Sequence, residues 1–210
     1  MSGRMKQVLA IVAASVWFSG CAAFAPRADP SNFYILGALP EMDLAANGAT
    51  AGIKTSFSVG LVPIELPGYL DRQQIAKRTS ANRLSYSETE RWAAPLAESF
   101  SRVLGQNMTH LLNPAQMIQF PWHTNDAPDY QVKIEVLQFD GNSNQEAWLS
   151  ARWTVIDRNK KILAGQSSQL KRHAGSPSTE DSVKALSQLI GDLSREIANS
   201  LRSFDQERKS

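Results

Sequence analysis

The chain is poor in the residues that carry common chemistry. Cys21 is the only cysteine among 210 residues, so no disulfide framework can hold the fold together. The three histidines are scattered, and no G-x-S-x-G, G-x-G-x-x-G, P-loop, H-E-x-x-H or C-x-x-C pattern occurs. These absences argue against the hydrolase, nucleotide-binding, zinc and redox classes, and we expect a protein that is not an enzyme.

One histidine lies near two carboxylates and forms the best candidate for a metal site. His123, Asp126 and Asp129 share a single proline-flanked loop. Their spacing along the chain fixes no geometry, so solvated loop residues are the more common explanation. Asp126 and Asp129 as an acid–base pair meet the same objection. We therefore predict no metal and no catalytic residues.

The chain also lacks an excess of charge of either sign. Its formal net charge is +2, and Arg4 and Lys6 near the start account for that difference. No basic block is present that could hold nucleic acid or anionic lipid headgroups. The length suits one domain with a full apolar core.

The first twenty residues have the form of a secretion signal. The stretch from Val8 to Phe18 is uncharged and mostly apolar, and it follows a short basic start. As a helix it would rise only about 16 Å, which is too short to cross a bilayer core. We expect residues 1–20 to be removed on export.

Cys21 stands where a bacterial lipoprotein would be acylated. Small residues precede it in Phe18-Ser19-Gly20-Cys21. The alternative, cleavage after Ala23-Phe24-Ala25, would place the rigid ring of Pro26 directly after the cut. A lone thiol in an oxidising envelope also favours lipidation. We predict an acyl group on Cys21, a diacylglyceryl anchor and no other cofactor. Because Ala22 replaces the aspartate of inner-membrane retention, we expect the outer membrane.

The rest of the chain predicts one α+β domain. Residues 21–31 form an acylated tether, residues 32–204 the domain and residues 205–210 a frayed tail. Alternating or continuous apolar residues predict six strands, at residues 32–36, 55–64, 116–120, 130–139, 147–156 and 161–170. The last three are predicted to form an antiparallel meander. Apolar stripes at helical spacing predict two amphipathic helices packed on one face of a mixed, mostly antiparallel sheet. Residues 66–83 lack either pattern and are predicted to be irregular.

The start of the first helix has two possible positions. Ser87 and Glu90 could form a capping box, but the helix would then contain Pro95 in its interior. Alternatively the helix begins near Ala94, with Pro95 in its first turn. The second helix begins at Ser178 and continues to the end of the domain.

A proline-bounded segment and one tryptophan are the candidate interaction sites. The segment crowds apolar and charged side chains into a loop, where function often resides, with the candidates Leu66, Tyr69, Leu70, Asp71 and Arg72. The alternative is that Tyr69 and Leu70 fill the core while Asp71 and Arg72 pair locally. Trp148 lies on the polar face of its predicted strand, and is either half-covered by a neighbour or part of an interface. Trp92 and Trp153 lie on apolar faces and are predicted to be core residues.

Many residues of the domain follow the pattern of a known family. The matching positions are Phe33-Tyr34-Ile35-Leu36, Leu66-Pro67, Tyr69-Leu70-Asp71-Arg72, Gln74-Ile75, Arg78, Asn82, Leu84, Arg91-Trp92-Ala93, Pro95-Leu96, Phe139 and Arg152-Trp153. In this order and spacing the chain resembles the PqiC-like lipoproteins, also called ABC-type transport auxiliary lipoproteins. Gln73 replaces an expected proline and Ala94 an acidic residue.

The resemblance implies a function that the residues alone do not reveal. It implies an outer-membrane lipoprotein that is an accessory subunit of a trans-envelope lipid transport system and supports membrane integrity. The partner would be an inner-membrane-anchored protein with mammalian-cell-entry (MCE) domains. We expect a docking module, with homo-oligomerisation as a further expectation. The alternative is a self-contained periplasmic lipid carrier, which would need a large apolar cavity.

Overall fold

Strands and helices follow one another in the order of an α+β fold. The computed structural model describes residues 29–40, 55–113, 116–123 and 126–209. The strands are β1 (Asn32–Tyr34), β2 (Ser58–Leu61), β3 (Gln74–Ser80), β4 (Arg83–Trp92), β5 (Gln116–Gln119), β6 (Tyr130–Asn142), β7 (Glu146–Asp157) and β8 (Ile162–His173). The helices are α1 (Leu96–Leu112) and α2 (Thr179–Lys209). The predicted fold class is confirmed. The predicted signal, Cys21 and most of the tether lie outside the described residues.

The last three strands form the predicted meander. β6 pairs antiparallel with β7, and β7 pairs antiparallel with β8, each along nearly its whole length. Alternate side chains on β6, among them Val132, Ile134 and Val136, are buried, while Lys133 between them is exposed. This period of two puts one face of the meander in the core and leaves the other, the outer face, away from the helices.

The opposite edge of β6 carries shorter, parallel pairings. β2 pairs with the start of β6 and β3 with its end, so β6 is the central strand of the sheet. β5 extends the sheet beyond β2, and the β3–β4 hairpin extends it towards β1. The sheet is therefore mixed, with long antiparallel ladders on one side of β6 and short parallel ones on the other.

Both helices pack on the inner face of the sheet. The ring of Phe100 on α1 meets Phe139 on β6 edge to face, with centroids 5.3 Å apart. Trp153 is 1% exposed, and its indole Nε1 donates to Ser168 across the sheet. Trp92 is buried as well, so the prediction that both tryptophans are core residues is confirmed.

The segment predicted to be irregular contains a hairpin instead. Residues Gln74–Ser80 and Arg83–Trp92 are antiparallel strands joined at Ala81 and Asn82. Only Ala76 is buried on β3, so no alternation of apolar and polar residues marks it as a strand. The prediction was wrong because β3 is held by backbone pairing on both sides, a constraint that hydrophobic pattern does not report.

The first helix begins late. Leu96 is its first residue and Pro95 its N-cap, which agrees with the alternative that placed Pro95 at the start. The capping box is wrong, because Ser87 and Glu90 lie on β4. The local bond that suggested it does exist, since Glu90 N donates to Ser87 Oγ at 3.0 Å within the strand.

The second helix begins as predicted but ends later. Ser178 Oγ accepts from Asp181 N at 3.0 Å and so caps its first turn. The tail predicted to fray from Asp205 instead continues the helix to Lys209. Asp205 is buried, and the Arg208 guanidinium lies 5.9 Å from the centroid of the Tyr130 ring, so contacts with the sheet hold the last turns in place.

A short segment after β1 is fastened to both helices. In this segment, residues 35–39 (the strap), Leu39 N donates to the buried amide Oδ1 of Asn107 on α1 at 3.1 Å. Gly37 N donates to Ser187 Oγ on α2 at 3.2 Å. The side chain of Leu39 packs so closely on α2 that a Cβ at Gly191 would lie 2.0 Å from its Cδ1. The chain that follows the predicted tether is thus tied directly to the helix pair.

We predict that Gly191→Ala destabilises the protein by about 1–3 kcal/mol, because overpacking against Leu39 outweighs the gain in helix propensity. Gly105→Ala on α1 is the matched control. Its Cβ would lie 3.5 Å from Leu61, an ordinary contact, so it should stabilise the helix by roughly 0.5–1 kcal/mol. Urea unfolding measures both. Leu39→Ala should relieve the effect of Gly191→Ala, and equal stabilities of the two alanine variants would contradict this packing.

Candidate functional site

The candidate loop folds over the outer face of the sheet and is partly anchored in the core. Leu70 is 3% exposed and packs with the core, while Leu66 is half-buried beside it. Leu70 N donates to Pro67 O at 2.9 Å, and Asp71 N donates to Gly68 O at 3.3 Å. The loop is therefore a compact turn held by its own backbone.

A buried carboxylate joins this loop to the sheet. Asp140 on β6 has no exposed side-chain surface. Its Oδ2 accepts from the Tyr69 hydroxyl at 3.1 Å and from Arg78 Nη2 at 2.8 Å. Its Oδ1 accepts from Arg78 Nε at 3.2 Å and from Gln138 Nε2 at 2.9 Å. Four bonds from three side chains satisfy the carboxylate and hold together the loop, β3 and β6.

The environment of this cluster raises the pKa of two of its members, Tyr69 and Arg78. Burial, together with the charge of Asp140, raises the pKa of the Tyr69 phenol to about 12, so it remains a hydrogen-bond donor at neutral pH. The hydrogen bond with Asp140 raises the pKa of the Arg78 guanidinium above its ordinary value. The cluster is a charge-assisted hydrogen-bond network in which the Tyr69 phenol and the Arg78 guanidinium are both donors.

Charged groups are exposed around this support. Asp71 and Arg72 point to solvent, and the Arg72 guanidinium lies 4.0 Å from the centroid of the Tyr86 ring on β4. Lys77 and Arg83 are exposed on the hairpin, and neither has an ion pair within the described parts of the chain. These four residues, Asp71, Arg72, Lys77 and Arg83, are termed the docking surface, although strand alternation places Lys77 on the opposite side of β3 from Arg78. Three cations and one carboxylate make it basic.

Trp148 belongs to the same corner of the sheet. It is the direct cross-strand neighbour of Asp140 on β7. The ring is half-buried, and Lys171 Nζ lies 4.9 Å from its centroid while pairing with Glu146. A neighbour therefore covers part of Trp148 and the remainder is accessible. Its role in an interface stays a prediction.

The structure thus sorts the candidate residues into two groups. Leu70 is buried in the core and Tyr69 bonds the buried Asp140, which agrees with the alternative for these two residues. Leu66, which that alternative did not include, is half-buried beside them. Asp71 and Arg72 remain exposed and do not pair with each other.

Sequence reasoning missed Asp140 because the predicted strand ends at residue 139, whereas β6 continues to Asn142. The signal available was an acidic residue at the end of a strongly alternating strand. Its partners, Tyr69 and Arg78, are 71 and 62 positions away, a distance that no local pattern spans.

Of the candidate metal residues, Asp129 is bonded elsewhere, and Asp126 N donates to His123 O at 2.9 Å. Asp129 Oδ2 accepts from both Ser58 N and Ser58 Oγ at 2.8 Å, which fastens the start of β2 to the start of β6. Burial raises the pKa of Asp129, but the Ser58 bonds and the charge of Arg158 outweigh it and leave the pKa below its ordinary value. Within the described ranges no group of three His, Cys, Asp or Glu side chains could hold a metal.

Open grooves mark the surface beside the helices. One of about 760 Å³ lies between residues 32–40 and the start of α2, and another of about 510 Å³ lies between α1 and the side chains of Ile64 and Phe120. The space between helices and sheet is filled by large buried side chains, among them Phe57, Phe100, Leu104 and Leu186. The grooves therefore lie outside the core.

Comparison with known proteins identifies the family. The family model described as "ABC-type transport auxiliary lipoprotein component" matches residues 39–198. The chain belongs to this family, the PqiC-like lipoproteins. The resemblance deduced from the sequence is confirmed. Proteins of this family are auxiliary components of transport systems, and the family is not a known enzyme family. They are membrane-associated lipoproteins.

Two crystal structures share the fold of this family member at low sequence identity. A structure from Xanthomonas campestris is 15% identical, with a TM-score of 0.68 over 85% of this chain and 100% of its own. The crystal structure of an uncharacterized protein is 16% identical, with a TM-score of 0.67 over 81% of this chain and 98% of its own. No curated protein matches the sequence. Among the helices that the structure describes, none is long and apolar enough to cross a membrane.

We predict that Tyr69→Phe lowers the stability at neutral pH by about 1–2 kcal/mol, because Asp140 loses one donor. Tyr69 should also make the wild-type protein sensitive to alkali. Its phenol ionises near pH 10 when unfolded and near pH 12 when folded, so the stability it contributes is complete below about pH 10 and is lost as the pH rises through 12.

Urea unfolding at a series of alkaline pH values tests this directly. The free energy of unfolding of the wild type should fall more steeply over that window than that of Tyr69→Phe. Tyr86→Phe, which keeps the ring beneath Arg72, is the control and should follow the wild type. Identical slopes for Tyr69→Phe and the wild type would contradict a buried, Asp140-bonded phenol.

Proposed function

We propose that this lipoprotein is a non-catalytic accessory subunit of an MCE-type trans-envelope lipid transport system, anchored in the outer membrane by acyl chains on Cys21. Membership of a transport auxiliary family supports an accessory role in transport. The observation that carries the proposal further is the docking surface, a set of exposed charges on a loop and hairpin that the Asp140 network holds rigid.

A rigid support favours docking for a thermodynamic reason. Binding costs free energy when it orders mobile loops or side chains, and a loop already fixed avoids part of that cost. Leu70 and Tyr69 fix the backbone that presents Asp71 and Arg72, while the Tyr86 ring restricts the Arg72 guanidinium. A basic surface of this kind fits an acidic patch on a partner protein and speeds its association.

The alternative of a self-contained lipid carrier has less support. A carrier needs an apolar cavity that encloses most of its ligand. The region between the helices and the sheet, where an acyl chain would lie, is packed with buried side chains. We therefore favour docking, with several copies arranged around the end of a lipid conduit, an oligomeric state that light scattering on the purified protein would test.

We predict that mild cross-linking in cells, followed by detergent extraction and mass spectrometry, recovers an MCE-domain protein with the tagged full-length chain. Reversing two cations of the docking surface, Arg72→Glu with Lys77→Glu, should lower that recovery about tenfold, the equivalent of 1.4 kcal/mol. Lys184→Glu, an exposed cation on α2, is the matched control and should leave recovery unchanged.

The outcomes separate the partner from the surface. Recovery of an MCE-domain protein by the wild type and equally by the double variant would show that another surface binds it. Recovery of no such protein, with a cross-linker that captures a known envelope pair in the same cells, would overturn the MCE partnership.

We predict that Cys21→Ala releases the protein from the membrane fraction. Two or more acyl chains give stable anchoring, and the substitution removes the residue that would carry them. Intact mass before and after the substitution measures the added acyl groups. Ala22→Asp should keep the acyl groups and move the protein to the inner membrane on a density gradient. An unmodified wild-type chain that begins at Pro26 would instead establish the alternative cleavage.

A further inference from the structure

Among the strands that the structure describes, β1, β5 and β8 lie at free edges of the sheet, and these edges differ greatly in length. β1 has three residues and β5 has four, so neither presents a long row of unpaired backbone groups. β8 has twelve residues, and among the described strands it pairs with β7 alone. Its outer edge therefore presents every second N–H and C=O over some length.

This long edge lacks the usual protection against pairing. The nine residues from Ile162 to Leu170 include no charged side chain and no proline, the devices that proteins commonly place on exposed edges. Gly165, Gln166 and Ser167 are all exposed, whereas the next residue, Ser168, is buried and donates to Glu196 on α2. The strand is therefore uncovered on both faces at residues 165–167. A Cβ on Gly165 would meet nothing within 4 Å. The edge is open to another strand.

We propose that β8 is a binding site for an extended segment of a partner polypeptide, which adds to the sheet as a ninth strand and carries acidic residues beside Lys160 and Lys161. Backbone hydrogen bonds would supply affinity, and the flanking charges would select the segment and its direction. This inference rests on the sheet edge alone and does not depend on the proposed transport role.

Charge at the start of β8 argues for acidic residues in the added strand. Lys160 and Lys161 are exposed and have no ion pair in the part of the chain that the structure describes. Asp157 is the nearest carboxylate in the turn, and its Oδ1 accepts from Lys161 N at 2.8 Å. Arg158 is directed to Asp129, at 3.4 Å. The start of the edge thus carries net positive charge.

The far end of the strand is closer to neutral. Lys171 pairs with Glu146, and Arg172 Nε lies 2.7 Å from Asp192 on α2. The two unpaired lysines therefore mark one end of the edge. Beside them Ile162 is 65% exposed, which gives an incoming strand an apolar side chain to cover next to the charge.

The same charges disfavour a second copy of this chain as the occupant. In an antiparallel pair of β8 strands centred on Gln166, Lys161 of each copy would face Lys171 of the other, and Lys160 would face Arg172. Shifting the register by one residue still opposes cations at both ends. Lys171 and Arg172 already have carboxylate partners, so a second copy would offer Lys160 and Lys161 no unpaired carboxylate, whereas an acidic segment would supply one.

Synthetic nine-residue peptides test the site with the full-length lipoprotein in detergent. The acidic probe alternates Val and Thr and ends in two Asp residues, and the basic probe replaces these Asp residues with Lys. We expect the acidic probe to bind about tenfold more tightly by fluorescence anisotropy. The protein amide NMR signals that shift when the acidic probe is added should belong to β8. The double variant Lys160→Glu with Lys161→Glu should bind the basic probe more tightly than the acidic one.

Backbone pairing is tested on the probe, which avoids variants that fail to fold. N-methylation of every second residue removes the backbone donors from one edge of the peptide. Of two peptides, one methylated at odd positions and one at even positions, only one should lose binding. Lys77→Glu with Arg83→Glu, on the hairpin, is the control and should leave the affinity unchanged. A loss of acidic-probe binding in that control would place the probe at the docking surface and overturn the proposal.

Hydrogen exchange of the protein alone gives a second decision. Every second β8 amide should exchange rapidly while its neighbours, bonded to β7, are protected. Protection of all β8 amides would mean that the edge is already covered, and together with a dimer in light scattering it would assign the edge to self-association. Protection of all β8 amides, with or without a dimer, would overturn the proposal, and so would equal binding of the acidic and basic probes.

Discussion

The buried carboxylate of Asp140 is the constraint on which the exposed loop and hairpin depend. A carboxylate removed from water is costly unless every lone-pair direction finds a donor, and here Tyr69, Arg78 and Gln138 supply four bonds. Removing one partner of such a pair typically costs about 3–5 kcal/mol, because the remaining charge stays buried. The loop, β3 and β6 therefore behave as one unit.

Much of the fold could be predicted from periodicity, and its largest failure, the β3–β4 hairpin, has a physical cause. Apolar residues recur every second position in β6 and β7 and at helical spacing in α2, because one face of each element meets the core. This periodicity is visible in the sequence. β3 is a strand for a different reason, since backbone pairing with β4 and β6 holds it while its side chains are nearly all accessible. Hydrophobic pattern records burial, so a strand with little burial leaves no trace.

The same limit applies to the candidate site. The crowded loop and Trp148 could be singled out from local composition, and the structure brings them to one corner of the sheet. What could not be predicted is the division of labour within the loop. Tyr69 and Arg72 are both amphipathic and three residues apart, yet one bonds a buried carboxylate and the other lies over an exposed ring. Only the position of Asp140 decides between them.

This division changes how the family pattern is interpreted. Tyr69 and Arg78 match the pattern, but their contacts make them supports that hold the loop, so their match reports the fold. Arg72 also matches the pattern, but it is exposed. A requirement for folding explains the match of an exposed residue less well than that of a buried one. A change at Tyr69 would displace Arg72 without touching a partner, and its effect on binding would mimic that of a lost contact. Evidence for an interface therefore has to come from Asp71, Arg72, Lys77 and Arg83, which can be altered while the buried network stays intact.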